Sequence, residues 1–388
     1  MPAALLFCLV VAGTVIGLAG TDLVLPAIPG LPDSLEGSLE SAQLVLAGFT
    51  AGTATGLLVF GELGARYDQK KLLIAALAGY CMFSWLATVS NTITELSVFR
   101  LFQGFMAAAP AVFAPGMIRT LFDERGALRA LGLMGSIESV VPALAPVVGA
   151  WLLTYFDWRV SFYITAASAL ILTCLWVMVP YPREAPAGIA RHGNYLTLLA
   201  SPVFQRYSLS QAFTLGGLLI FVFGAPTIMT ITMSGTLSDF VTMQVIGISF
   251  FIVCTNLSHR VVDRLGNERT IMLGSLLCAG GTLSILVYGL LFDPDPRVIW
   301  FLFSFVNAGL GLRGPPGFYL AVIASGDNDA RGAALVGLSV FLTVAAGTAA
   351  LAPFIALGLV PLAGLASLVS VASVVVLRLL PPLEHEVG

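Results

Sequence analysis

Gly61-Glu-Leu-Gly-Ala-Arg66-Tyr-Asp68-Gln-Lys70-Lys71 and Asp263-Arg264-Leu-Gly266-Asn-Glu268-Arg269 are two versions of one charged turn, each set between long apolar runs. They lie about two hundred residues apart, close to half of the 388-residue chain. A basic turn used twice in this way predicts two similar halves. A second echo agrees: Glu124-Arg-Gly-Ala-Leu-Arg-Ala-Leu-Gly-Leu133 and Asp329-Ala-Arg-Gly-Ala-Ala-Leu-Val-Gly-Leu338 each lead into an apolar run.

The runs around these turns identify the solvent. The chain is 58% hydrophobic and 10% charged, with a mean hydropathy of +0.96. Charge this sparse cannot cover a water-soluble core, so the bilayer must solvate most of the chain. Crossing ~30 Å of hydrocarbon takes ~20 helical residues. Sufficient runs fall near 3–29, 42–62, 72–90, 95–118, 129–155, 160–180, 207–233, 240–259, 270–292, 297–324, 331–356 and 359–380. The expected fold is an all-α membrane protein with twelve transmembrane helices in two pseudo-symmetric six-helix bundles, residues 1–180 and 207–388. Between them, 181–206 reads as a cytoplasmic central loop carrying Arg183, Glu184, Arg191, His192 and Arg206. The first run has no polar cleavage region behind it and reads as a span, not a removed signal peptide. The last two runs meet at a Gly-Pro turn, Gly358 to Pro361.

Orientation follows from Lys and Arg. Fourteen fall on one side of the predicted loops and two, Arg159 and Arg297, on the other; Arg100 and Arg313 lie within spans. The bias places both termini in the cytoplasm of a multi-pass inner (plasma) membrane protein. With a net charge of −3, no nucleic acid partner is expected. The five cysteines, Cys8, Cys81, Cys174, Cys254 and Cys278, read as small buried apolar residues without disulfide or metal spacing. No phosphate loop, metal motif or serine elbow occurs, and the loops are too short for a catalytic domain. The reading is therefore no enzyme, no cofactor and no metal. The partners expected of a monomer are the lipid bilayer, a small-molecule substrate and protons.

Four ionisable side chains fall well inside spans: Asp22, Arg100, Glu138 and Arg313. A charge in hydrocarbon costs at least ~2.5–3.5 kcal/mol, so each needs a partner or a wet cavity. Asp22 and Arg100 lie at comparable depth, roughly 12 Å and 8 Å from the outer face, and suit an ion pair between spans 1 and 4. Its coupling to protonation is one reading; a permanent packing pair is the other. Glu138 is roughly 14 Å deep. It shares a helix face with Gly135, Pro142, Pro146 and Gly149, which suits a bendable gate around a proton-handling carboxyl. Arg313 stands beside Pro315 and Pro316, which are expected to break span 10 locally and leave the Arg as an anion or substrate ligand, a partner for Glu138, or a snorkelling side chain. Gln103 and Asn307 are buried amides, read either as substrate contacts or as helix-packing hydrogen bonds.

Four motifs sharpen the picture. The first basic turn resembles, at Gly61, Leu63, Arg66 and Lys70, the Gly-x-Leu-x-Asp-Arg-x-Gly-Arg-Arg loop of the major facilitator superfamily. Arg100-Leu-Phe-Gln103-Gly104 is similar to the Arg-x-x-Gln-Gly signature of its proton-coupled drug exporters, and Ala145-Pro146-Val-Val-Gly149-Ala150 to their Gly-Pro-x-x-Gly-Gly motif. Asp22-Leu-Val-Leu-Pro26-Ala-Ile-Pro29 resembles the Asp-x-x-x-Pro-x-x-Pro opening of bicyclomycin/chloramphenicol-type exporters. The resemblance covers essentially the whole chain. It implies a drug:proton antiporter working by alternating access around a cavity lined by spans 1, 4, 7 and 10, with proton coupling at Glu138 and Asp22. It also implies gating by Arg66, Asp68, Asp263, Arg264, Pro146 and Gly149. The chain departs from the pattern at Ala65, where the family has an acid, and at Asp68, where it has a glycine; the second turn keeps both, as Asp263 and Gly266. An importer or an organic-anion, siderophore or metabolite carrier of the same fold is the alternative, and an uncoupled sensor or lipid scramblase a further one.

Overall fold

The computed structural model describes residues 3–181, 195–326 and 329–383. Arg183, Glu184, Arg191 and His192 of the expected central loop lie outside the described residues, as do the side chains of Ala65, Glu124 and Arg125. Among the described residues, twelve spans are long and apolar enough to cross a membrane, and there is no strand. Span 1 comprises Ala3–Asp22, a 3-10 segment Leu25–Gly30 and Leu31–Leu35. Spans 2 to 6 are Leu39–Arg66, Gln69–Thr88, Ile93–Leu121, Glu124–Leu153 and Arg159–Met178. A short helix, Tyr195–Ala200, precedes span 7, Pro202–Thr227, which ends in a π turn, Ile228–Thr232. Spans 8 to 12 are Leu237–Leu265, Asn267–Leu291, Pro296–Ile323, Asp329–Leu351 and Leu359–Leu379. The chain divides into two compact units, Met1–Arg191 and His192–Gly388.

The quoted turns are shorter than their charge suggests. Span 2 continues through Arg66, and Tyr67 and Asp68 alone separate it from span 3. Asp68 caps the next helix by accepting from the Lys71 backbone N–H at 3.1 Å. The second turn is Gly266 alone, at φ 79°, a conformation that disfavours side chains. Two non-helical residues thus do in the first turn what one glycine does in the second, which gives Asp68 a structural reason to replace the family glycine.

Close helix packing in unit 1 comes from glycines. Gly48, Gly52 and Gly56 of span 2 recur every fourth residue and rest on the Ser97, Leu101 and Phe105 carbonyls of span 4, while Gly104 returns the contact at Phe49. Any Cβ there would meet backbone, so small residues set the interhelical distance.

Several expectations need correction. Run 3–29 is not one helix, because span 1 loses its α-helical pattern after Asp22. Span 7 begins at Pro202, so Arg206 belongs to a helix and is buried. The prolines of span 10 do not break it: the helix runs through Pro315 and Pro316, and the Leu312 carbonyl, deprived of its donor by Pro316, accepts from Ser258 Oγ of span 8 at 2.7 Å. Cys8 and Cys174 are exposed on the outside of the helices, not buried; all five cysteines are free.

Candidate functional site

The break in span 1 organises unit 1. Past Ala19 the hydrogen bonds tighten: Leu23 N–H still reaches back four residues to Ala19 O, but Val24 N–H takes Thr21 O and Ala27 N–H takes Val24 O. The Gly20 and Leu23 carbonyls thereby lose their helical donors, and buried carbonyls need replacements. Arg100 of span 4 supplies one, donating from Nη1 to Gly20 O at 2.8 Å; Ser161 of span 6 supplies the other, donating to Leu23 O at 3.3 Å. Gly149 of span 5 lies against Leu23 O so closely that a Cβ would collide with it, and Pro146, one turn away, is buried. Asp22, 9% exposed, is the last α-helical residue before the break.

A hydrogen-bonded chain holds the guanidinium in place. Arg100 Nη1 also donates to Gln103 Oε1 at 2.7 Å, Gln103 Nε2 to Ser84 Oγ at 2.6 Å, and Ser84 Oγ to Tyr80 O at 2.7 Å. Tyr80 donates back to span 1 at Ile16 O, 3.2 Å away. The Phe49 ring covers the guanidinium, 4.1 Å from centroid to Cζ. The ion pairs among the described residues are Glu62–Arg66, Asp157–Arg159 and Arg206–Glu268, so the expected Asp22–Arg100 pair is absent. The freed Gly20 carbonyl, two residues before Asp22, takes the guanidinium instead. Arg100 Nε and Nη2 remain buried without an acceptor.

Glu138 is half-buried in span 5, beside the Thr14 side chain of span 1. Thr14 and Asp22 are eight residues apart, ~12 Å along one helix, so both candidate acids lie beside or on span 1. The structure thus brings Asp22, Arg100, Gln103, Pro146 and Gly149 together at the break, with Glu138 further along.

In unit 2, Arg313 is fully buried. It donates from Nη1 to Ser210 O at 2.6 Å, to Ser373 Oγ at 3.2 Å and to Thr214 Oγ1, and from Nη2 to Ser210 Oγ at 3.2 Å. It does not snorkel. Asn307, 4% exposed, spends its amide on Phe303 O of its own helix and packs on Gly247 of span 8.

Of the gating candidates, Pro146 and Gly149 lie at the break, while the four in the charged turns lie apart from these sites. Arg66 is exposed and pairs with Glu62 one turn back at 2.9 Å; Asp68 is the helix cap; Asp263 and Arg264 are exposed on the last turn of span 8, with no ion pair among the described residues. Sequence reading missed a buried knot nearby. Arg206 donates to the Leu377 and Leu380 carbonyls and to Glu268, which also accepts from Tyr207 OH. It also missed Ser84, Ser161, Ser210, Thr214 and Ser373; the four-residue spacing of Ser210 and Thr214 on one face of span 7 was the available signal.

Comparison with known proteins places this architecture. The family model described as the Major Facilitator Superfamily matches residues 7–348. A bicyclomycin resistance protein homolog of Haemophilus influenzae is 25% identical over 256 residues, 64% of each chain. Multidrug resistance protein MdtL of Shewanella oneidensis is 28% identical over 211 residues, 54% of this chain and 52% of that protein, and MdtL of Salmonella heidelberg 27% over 279 residues, 69% of each. The chain therefore spans less than two thirds of the Haemophilus and Shewanella relatives. The crystal structure of a D-xylose-proton symporter superposes with a TM-score of 0.75 over 97% of both chains at 14% identity, a likeness of fold. A family model that runs through both units leaves one assignment: this chain belongs to the Major Facilitator Superfamily.

Proposed function

We propose that this multi-pass transporter exports small amphiphilic compounds in exchange for protons by alternating access, with both termini in the cytoplasm. The observation that carries the reading is the break of span 1 at Asp22. A carboxyl at the end of a helical segment, next to carbonyls held by Arg100 and Ser161, sits where small changes in hydrogen bonding move a whole helix end. Proton binding at Asp22, with Glu138 as a second site, shifts the population of the two facing states. Arg100, bonded to the Gly20 carbonyl at the break, and Gln103, bonded to Arg100, transmit that shift, while Arg313 and Asn307 are the proposed substrate contacts in unit 2. The names of the resistance-protein relatives support export of foreign compounds, and the fourteen-to-two distribution of basic residues supports the orientation.

The test is sided flux in proteoliposomes under an imposed pH gradient. Drug movement opposite to the proton gradient is expected, at least tenfold lower in Asp22→Asn, with Glu138→Gln weakening its dependence on the gradient. Movement with the protons, or undiminished exchange in Asp22→Asn, overturns the reading.

A further inference from the structure

We infer that the Nε–Nη2 edge of Arg313 is a binding site in unit 2 for a singly charged anion, a carboxylate or a halide. Four observations meet there. Arg313 is fully buried, yet the sequence has no Asp or Glu in 202–238, 240–262, 269–292, 296–326 or 331–383, and no described carboxylate pairs with it. A guanidinium removed from water without a counter-charge is strongly disfavoured, so an anion from outside the bundle supplies what the bundle lacks.

The edge is also free to bind. Nη1 meets three acceptors and Nη2 one, while Nε has none, so Nε and Nη2 keep one hydrogen each. Two such hydrogens form the parallel fork that suits a carboxylate. Gly317 faces this edge without a side chain. A Cβ on that residue would stand 3.2 Å from Nη2 and 3.7 Å from Nε.

Gln211 completes the site. Its Oε1 would lie 3.2 Å from the same Cβ position, is buried and has no partner. Turning the amide over breaks no hydrogen bond made by that oxygen and presents its NH2 as a third donor.

Finally, Arg313 is not needed by its own acceptors. Ser210 O lies 2.9 Å from Thr214 Oγ1 and 3.0 Å from Ser373 Oγ, and the two hydroxyls lie 2.7 Å apart, so with the hydrogen of one hydroxyl turned to the other, Ser210 O still keeps a hydroxyl donor. The hydroxyl cluster closes on itself, and the guanidinium is an addition to it.

The inference deepens the carrier reading by naming the ligand chemistry of unit 2, but its test reads binding and needs no transport. Purified full-length protein in detergent is titrated with sodium chloride or sodium benzoate at constant ionic strength against sodium sulfate, following thermal unfolding by tryptophan fluorescence. A saturable rise of several degrees is expected, lost in Arg313→Gln and shifted to at least tenfold higher anion concentration in Gly317→Ala, which fills the notch but keeps the guanidinium. Saturation by chloride identifies a free inorganic anion. Saturation by benzoate alone identifies a carboxylate borne by the transported molecule. No saturable rise in the wild type, or the same rise in both variants, overturns the site. Loss of pH-driven exchange in Asp22→Asn with anion binding intact separates this result from the fate of the antiport reading.

Discussion

Arg100 and Arg313 are both fully buried, each keeps Nε without an acceptor, and each donates to a backbone carbonyl in the first span of its own unit, yet the carbonyls they serve differ. Arg100 lies seven residues into span 4, ~10 Å from the start of that helix; Arg313 lies seventeen residues into span 10, ~25 Å from the start of its own. Gly20 O has lost its helical donor and depends on Arg100, whereas Ser210 O lies within reach of the Thr214 and Ser373 hydroxyls, at least one of which donates to it besides Arg313. A buried charge is thus part of the framework where it closes a hydrogen-bond deficit, and available for other work where the deficit is already closed.

The sharpest way to break that distinction is to remove each guanidinium with a side chain of similar length. Arg100→Met strands Gly20 O and Gln103 Oε1, and a buried acceptor left unpaired costs roughly 1–3 kcal/mol. A loss of about 4 kcal/mol is expected, read as a large fall in the thermal midpoint in detergent. Arg313→Met strands no backbone acceptor and is expected to cost about 1 kcal/mol or less. Equal losses would show that Arg313 is framework as well.

The two charged turns extend the comparison at smaller scale. In unit 1, Lys70, second residue of span 3, donates to Val179 O at the end of span 6, 2.7 Å away. In unit 2 the second residue of span 9 is Glu268, of opposite charge. It recruits Arg206 from span 7, and Arg206 caps the carbonyls at the end of span 12. The last helix of each unit is closed by a cation, directly in one and through an acid in the other. Glu268→Gln leaves Arg206 buried without its counter-charge; with side chains 7% and 18% exposed, a cost of about 3 kcal/mol is expected. Lys70→Met removes one hydrogen bond at a half-buried position, about 1 kcal/mol. Both are read by thermal unfolding, and proteolysis of the C-terminal segment should accelerate in Glu268→Gln alone.

The differences between sequence and structure follow the same logic. Twelve spans and two units were legible because hydropathy and basic turns act locally and repeat. The span 1 break was hidden inside an apolar run, since hydropathy is blind to whether Val24 N–H bonds Gly20 or Thr21. Arg206 read as a loop residue because it is charged, and its neutralising partner stands 62 residues away. Pro315 and Pro316 signalled a broken helix, but Ser258, on a different span, repairs the Leu312 carbonyl. In each case the deciding hydrogen bond joins residues far apart in the chain.

The smallest expected effect separates gating from framework. Arg66 and Glu62 pair within one helix with side chains 63% and 51% exposed, and water screens such a pair almost completely. Arg264, at the matching end of span 8, is exposed as well. Neither position has a buried acceptor to strand, so Arg66→Gln and Arg264→Gln should leave the thermal midpoint within about one degree of wild type, in line with surface substitutions generally. Any loss of pH-driven exchange in these variants then belongs to the transport cycle and not to the fold. Flux in proteoliposomes checks this beside the unfolding curves, and a drop of several degrees in either variant would place the turns in the framework, alongside Arg100.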